Sequence, residues 1–122
     1  MKEIVHRFNP DAEFYADEGC YITEISNSGS DSEASIARAR VKPGATTRWH
    51  RLKVTAERYV IVEGRGYVEV GESLQAHVAT GDVVLIPPMQ RQRITNTGSG
   101  DLVFLAVCTP RYVDEVYEDM EG

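Results

Sequence analysis

Turn-forming residues interrupt this chain so often that no long helix fits between them. Short runs rich in β-branched and aromatic residues alternate with Gly, Pro, Asn and Asp at regular intervals. That pattern specifies a sandwich or barrel of antiparallel strands. The runs fall at residues 20–25, 34–41, 48–50, 58–63, 66–70, 74–78, 82–86, 92–96 and 102–108. The breaks carry their own chemistry. In Lys42-Pro43-Gly44 the proline pre-sets one dihedral and the glycine is free to take positive φ. Glu63-Gly64-Arg65-Gly66 suits a tight hairpin, and residues 96–101 are loop-forming by composition.

A chain of 122 residues suits one domain and buries an apolar core without staples. Residues 1–33 read as an N-terminal arm and polar loop, 34–110 as the barrel, and 111–122 as an acidic tail. The tail is expected to be either a short helix with one apolar face or a strap over the barrel. The net charge of −6 argues against nucleic acid as a partner. Its distribution is more informative. The arm holds eight acids and two bases, the barrel six and ten, the tail five and one. Acidic flanks packed against a basic barrel are the simplest reading. The first ten residues hold no apolar run, and no segment has the length to cross a bilayer. The two cysteines, Cys20 and Cys108, have no metal or redox spacing. A reduced cytoplasmic protein is the expectation, with Cys108 a small core residue.

Two spaced series stand out within the barrel. One is Gly44-x5-His50-x-Leu52-x4-Glu57-x6-Gly64, and the other is Gly81-x5-Pro87-x-Met89-x2-Gln92-x3-Asn96. Together they resemble the two signature motifs of the cupin superfamily. The family's spacing is intact, but Leu52 stands where the second histidine of the first motif belongs. Gln92 stands where the histidine of the second motif belongs, and Met89 replaces a glycine. The run from Pro87 to Gly98, with Leu102 to Tyr112 after it, is similar to a group of small single-domain cupins. The resemblance implies an all-β fold, a single antiparallel jelly-roll barrel. It also implies a homodimer, since many cupins pair N-terminal strands across a dimer.

Matched to the family, the inward-facing trio is His50, Glu57 and Gln92, with His50 and Glu57 on neighbouring strands. The resemblance makes these the metal ligands, for a divalent transition metal such as Mn, Fe, Ni or Zn. Gln92 offers only a weak carbonyl oxygen and Leu52 offers nothing. The alternative is a metal-free pocket in which the three residues hydrogen-bond one another. Strand alternation sets Tyr59 and Ile61 on the face of Glu57, Ile94 on that of Gln92, and Arg48 on that of His50. Trp49 faces the other way. Arg40, Arg48 and Tyr59 are the expected ligand contacts. Arg38 and Arg40 point into the barrel only if Ala37, Ala39 and Val41 pack outward. Met89, no longer glycine, need not take positive φ, and it is expected either to roof the pocket or to fill a gap.

Two functions follow from this reading. One is a small cupin that binds a small polar or anionic ligand beside a depleted metal site. The other is a metal-dependent isomerase, epimerase or lyase acting on a small sugar or organic acid.

Overall fold

A computed structural model describes residues 1–122. Nine of its strands match the runs expected from the sequence, with ends shifted by a residue or two. They are β2 (Tyr21–Ser26), β3 (Ser35–Val41), β4 (His50–Leu52), β5 (Ala56–Glu63), β6 (Arg65–Val70), β7 (Leu74–Ala79), β8 (Val83–Ile86), β9 (Gln92–Asn96) and β10 (Leu102–Thr109). Two more come from the flanks: β1 (Phe14–Tyr15) and β11 (Tyr117–Asp119). All pairings are antiparallel. One sheet has the order β1-β2-β3-β10-β5-β8 and the other β11-β4-β9-β6-β7. The two sheets face each other as a jelly-roll barrel.

Alternation decides which side chains fill the space between the sheets. β5 shows it well. Glu57, Tyr59 and Ile61 are buried, and Arg58, Val60 and Val62 are less so. β9 buries Gln92, Ile94 and Asn96 in the same way. The main core joins Ile61, Val68, Ile94, Leu102 and Phe104 with ten other buried side chains, at about 25 cal/mol per Å² of apolar surface removed from water.

The tail is a strap and not a helix. A single 3₁₀ turn over Asp114–Val116 leads into β11, which pairs with β4. Val116 packs on Leu52 and Cys108 in a small second core. Leu52, useless as a ligand, is thus the anchor for the tail. The polar loop is fastened to the same tail: the Asn27 amide donates to the Tyr112 carbonyl at 2.9 Å, and Arg111 donates to Asn27 at 2.8 Å. Charge balance between flanks and barrel is direct. Glu13 pairs with Arg40 and Arg38, Asp119 with Arg48, and Glu118 with Arg51.

Asn96 closes the second motif by tying three segments. Its amide donates to the carbonyls of Val41 and Gly100, both at 2.8 Å, and its carbonyl accepts from Gly98 N–H at 2.9 Å. Met89 departs from expectation. Its φ is +71°, the value the family's glycine takes easily. The reason is the turn: Pro88 holds the second position, and Gln90 N–H donates to Pro87 at 3.4 Å, which leaves Met89 the third position of a type II turn. The Met89 side chain is 46% exposed and does not roof the pocket.

Candidate ligand-binding site

A cavity of about 500 Å³ opens between the sheets at the end where β1, β2 and the tail meet β4 and β5. His50, Glu57 and Tyr59 line it, as do Phe104, Cys20 and Cys108. The lining differs from expectation in which strands meet there. β4 and β5 are consecutive in the chain but lie in opposite sheets. The turn between them, where exposed Val54 has a φ of +59°, carries the chain across. His50 and Glu57 therefore approach from opposite walls, and His50 is the direct cross-strand partner of Gln92.

Each polar group has a defined environment. His50 is buried, and its Nδ1 lies 2.7 Å from the Arg48 carbonyl. A carbonyl only accepts, so Nδ1 carries a hydrogen. Nε2 then faces Glu18 Oε2 at 3.4 Å. The ring stacks on Tyr117 with centroids 5.5 Å apart. Glu57 is buried opposite. Its Oε2 lies 3.8 Å from the Cys108 thiol, and its Oε1 has no hydrogen-bond partner. Burial pushes its carboxyl up to about 8, the Glu18 carboxylate adds to the rise, and the Gln92 amide and Cys108 thiol offset a part. Glu57 is thus a neutral acid through most of the physiological range. Burial also raises Glu18, against a downward pull from His50.

Tyr59 is buried against Phe104, with ring centroids 4.3 Å apart, and donates its hydroxyl hydrogen to Gln92 Oε1. That bond occupies the one Gln92 atom able to ligate a metal, while Nε2 stays unpartnered. No group of three or more His, Cys, Asp or Glu side chains is placed to hold a metal ion. The donor set does not fit the divalent metal that the motif spacing implies. Leu52 is committed to the tail, and Gln92 oxygen to Tyr59.

Arg40 and Arg48 are outside the cavity, and both expectations are corrected. β3 turns Ala37 and Ala39 to the cavity. Arg40 therefore faces outward, where it pairs with Glu13 at 2.6 Å and Asp101 at 3.3 Å and lies over Tyr21. Arg48 precedes β4, so strand alternation does not govern it. Its side chain reaches Asp119 at 2.9 Å. Trp49 faces outward as expected, between Arg91 and Arg93 at 4.2 and 4.3 Å.

The sequence reading missed Asp17, Glu18, Glu24, Tyr15, Tyr112, Asp114 and Tyr117, all of which line the cavity. They come from the flanks, outside the motifs. The excess of acids there was the available signal. Three backbone bonds fix the Glu18 turn: Ala16 N–H to Cys20, Gly19 N–H to Ala16, and Arg48 N–H to Glu18, at 2.8, 3.0 and 2.8 Å.

Fold and site define a small jelly-roll barrel with a ligand-sized cavity between its sheets. Residues 37–108 match the model of the cupin domain, and the chain belongs to that family. It is 30% identical, over 99% of its length and 98% of the other's, to the uncharacterized protein MJ1618 of Methanocaldococcus jannaschii. Its fold is shared with a Klebsiella pneumoniae protein with a double-stranded β-helix domain, at a TM-score of 0.75 and 14% identity, covering 92% and 93% of the two chains. It is shared also with a single-residue variant of Streptomyces PAC13 with uridine, at a TM-score of 0.77 and 15% identity, covering 98% and 92%. No helix is long and apolar enough to cross a membrane.

Proposed function

We propose that this cupin binds a small polar ligand without negative charge in the cavity between its sheets, and that it does so without a resident metal. The observation that carries this is the lining. Carboxylates converge on the cavity with one imidazole, and no lysine or arginine lines it. The volume, about 500 Å³, is that of a small-metabolite site. Glu57 lines the cavity and its Oε1 is buried without a partner, which a ligand hydroxyl would satisfy. The anionic ligand expected from inward arginines has no cation to meet it. The uridine found with the Streptomyces neighbour is a neutral ligand of suitable size, which supports the reading.

A thermal-shift panel of nucleosides, neutral sugars, amines and carboxylates tests it. Neutral or cationic compounds are expected to raise Tm. Ala37→Phe, which puts a ring in the cavity, is expected to abolish the effect. Stabilisation by carboxylates alone would sink the proposal.

Turnover is the second reading, favoured by Glu57. A carboxyl held neutral up to about pH 8 is a proton donor, and the His50–Glu18 contact opposite can take a proton. That pairing suits metal-free isomerisation or elimination. The homodimer belongs to the same proposal. Val62, Val83 and Leu85 stand exposed on the outer face of β5 and β8. Sedimentation at micromolar concentration decides between monomer and dimer.

A further inference from the structure

The cavity mouth combines acids and aromatic rings in a way that the binding proposal does not use. Asp17 and Glu18 come from the turn between β1 and β2, Glu24 from β2, and Asp114 from the 3₁₀ turn of the tail. None of these four takes part in an arginine ion pair. The arginine pairs use Glu13, Glu69, Asp101, Glu118 and Asp119 instead. Glu18 faces the His50 imidazole, Oε2 to Nε2 at 3.4 Å. Tyr15, Tyr112 and Tyr117 line the same region, and the Tyr117 hydroxyl is buried without a partner. Deeper in, Glu57 lines the cavity, is 9% exposed and keeps Oε1 unpartnered.

We infer that the ligand is a small organic cation, an ammonium or quaternary ammonium compound carried on a short polar stem. The inference rests on the cavity being the binding site. Four carboxylates around a recess attract a cation and repel an anion, and low-dielectric walls strengthen both effects. Aromatic faces add cation–π attraction, strongest for a weakly hydrated quaternary head. The polar stem would reach Glu57. Crowding of negative groups is already visible. Glu24, Tyr112 and Tyr117 are all raised, by burial first, with the Glu18 carboxylate contributing to each. A bound cation relieves that crowding. A metal ion would need several oxygen donors converging on one point, and the carboxylates are not so grouped.

Choline and 3,3-dimethylbutan-1-ol make the decisive pair of probes, since they share a shape and differ by one charge. Isothermal titration of the full chain at low ionic strength is expected to show choline binding at least about tenfold tighter, the ~1.4 kcal/mol typical of a partly desolvated cation–π contact. Added salt should weaken choline and leave the alcohol unchanged. Glu18→Gln and Asp17→Asn should each lower choline affinity by about threefold to tenfold. Asp17 is exposed, so Asp17→Asn retains the test if Glu18→Gln fails to fold. Equal binding of the two probes, or binding of neutral nucleosides without choline, would overturn the cation inference and leave the cavity proposal standing. Binding of manganese with no response to choline would overturn it in favour of an inorganic cation. No response of the native chain to any probe would overturn both.

Discussion

Glu57→Gln is the perturbation with the largest consequence for stability, and its sign reverses the usual rule that removing a buried polar group is harmful. Glu57 titrates near 4.5 in an unfolded chain and near 8 in the barrel. The folded state therefore holds a proton that the unfolded state has released at every pH between those values. Stability from this group is fully present below about pH 4.5 and is lost as pH rises toward 8. The slope is about −1.4 kcal/mol per pH unit. Between pH 5 and pH 8 the native protein should lose about 3–4 kcal/mol through Glu57. That is a large part of the 5–15 kcal/mol that holds a typical domain together. Glutamine keeps the shape and has no proton to release. Urea unfolding of both proteins at pH 5, 6, 7 and 8 measures the difference. Glu57→Gln is expected to gain on the native chain steadily with pH and to be the more stable of the two at pH 8. Parallel stability–pH curves would refute the reasoning. They would mean that Glu57 is ionised in the folded state and that something neutralises it.

Three further outcomes are expected. Asn96→Ala removes both amide bonds and the bond accepted from Gly98, so it should cost about 2–4 kcal/mol by chemical denaturation, because the Val41 and Gly100 carbonyls lose their amide donor. Met89→Gly should stabilise by about 1 kcal/mol, seen as a higher Tm, since φ of +71° strains a residue with a Cβ and the exposed side chain contributes little burial. Elemental mass spectrometry of untagged protein should find transition metal well below one equivalent, with no change in Glu57→Gln, because Gln92 oxygen is held by Tyr59 and Leu52 has no donor atom.

Strand positions were legible because each strand is short, alternates, and ends at residues whose backbone preferences are strong. The trio His50, Glu57 and Gln92 was legible through the motif spacing shared with the cupins, and of the three His50 and Glu57 line the cavity. Arg48 shows where that reasoning stops. It lies outside the regular strand, and the phase of alternation has no hold there. Arg40 shows a second limit. Alternation split Arg38 and Arg40 from Ala37 and Ala39, but it left open which set faces inward. Met89 shows a third: its conformation is dictated by Pro88 and the turn, not by the residue's own preference.

The sequence by itself determined an all-β barrel, the family, and three of the side chains in the cavity wall. The barrel follows from local rules of period and turn chemistry, and the family and these side chains from the resemblance of the motif spacing to the cupins, none of which needs knowledge of distant contacts. The tertiary structure alone decided the character of the site. Glu18 meets His50, and Tyr117 stacks on it, only because the first hairpin and the C-terminal strap fold over the same end of the barrel. Segments from both ends of the chain supply most of the charge there, and burial then changes what that charge can be. Proximity of this kind is a property of packing and leaves no period in the chain.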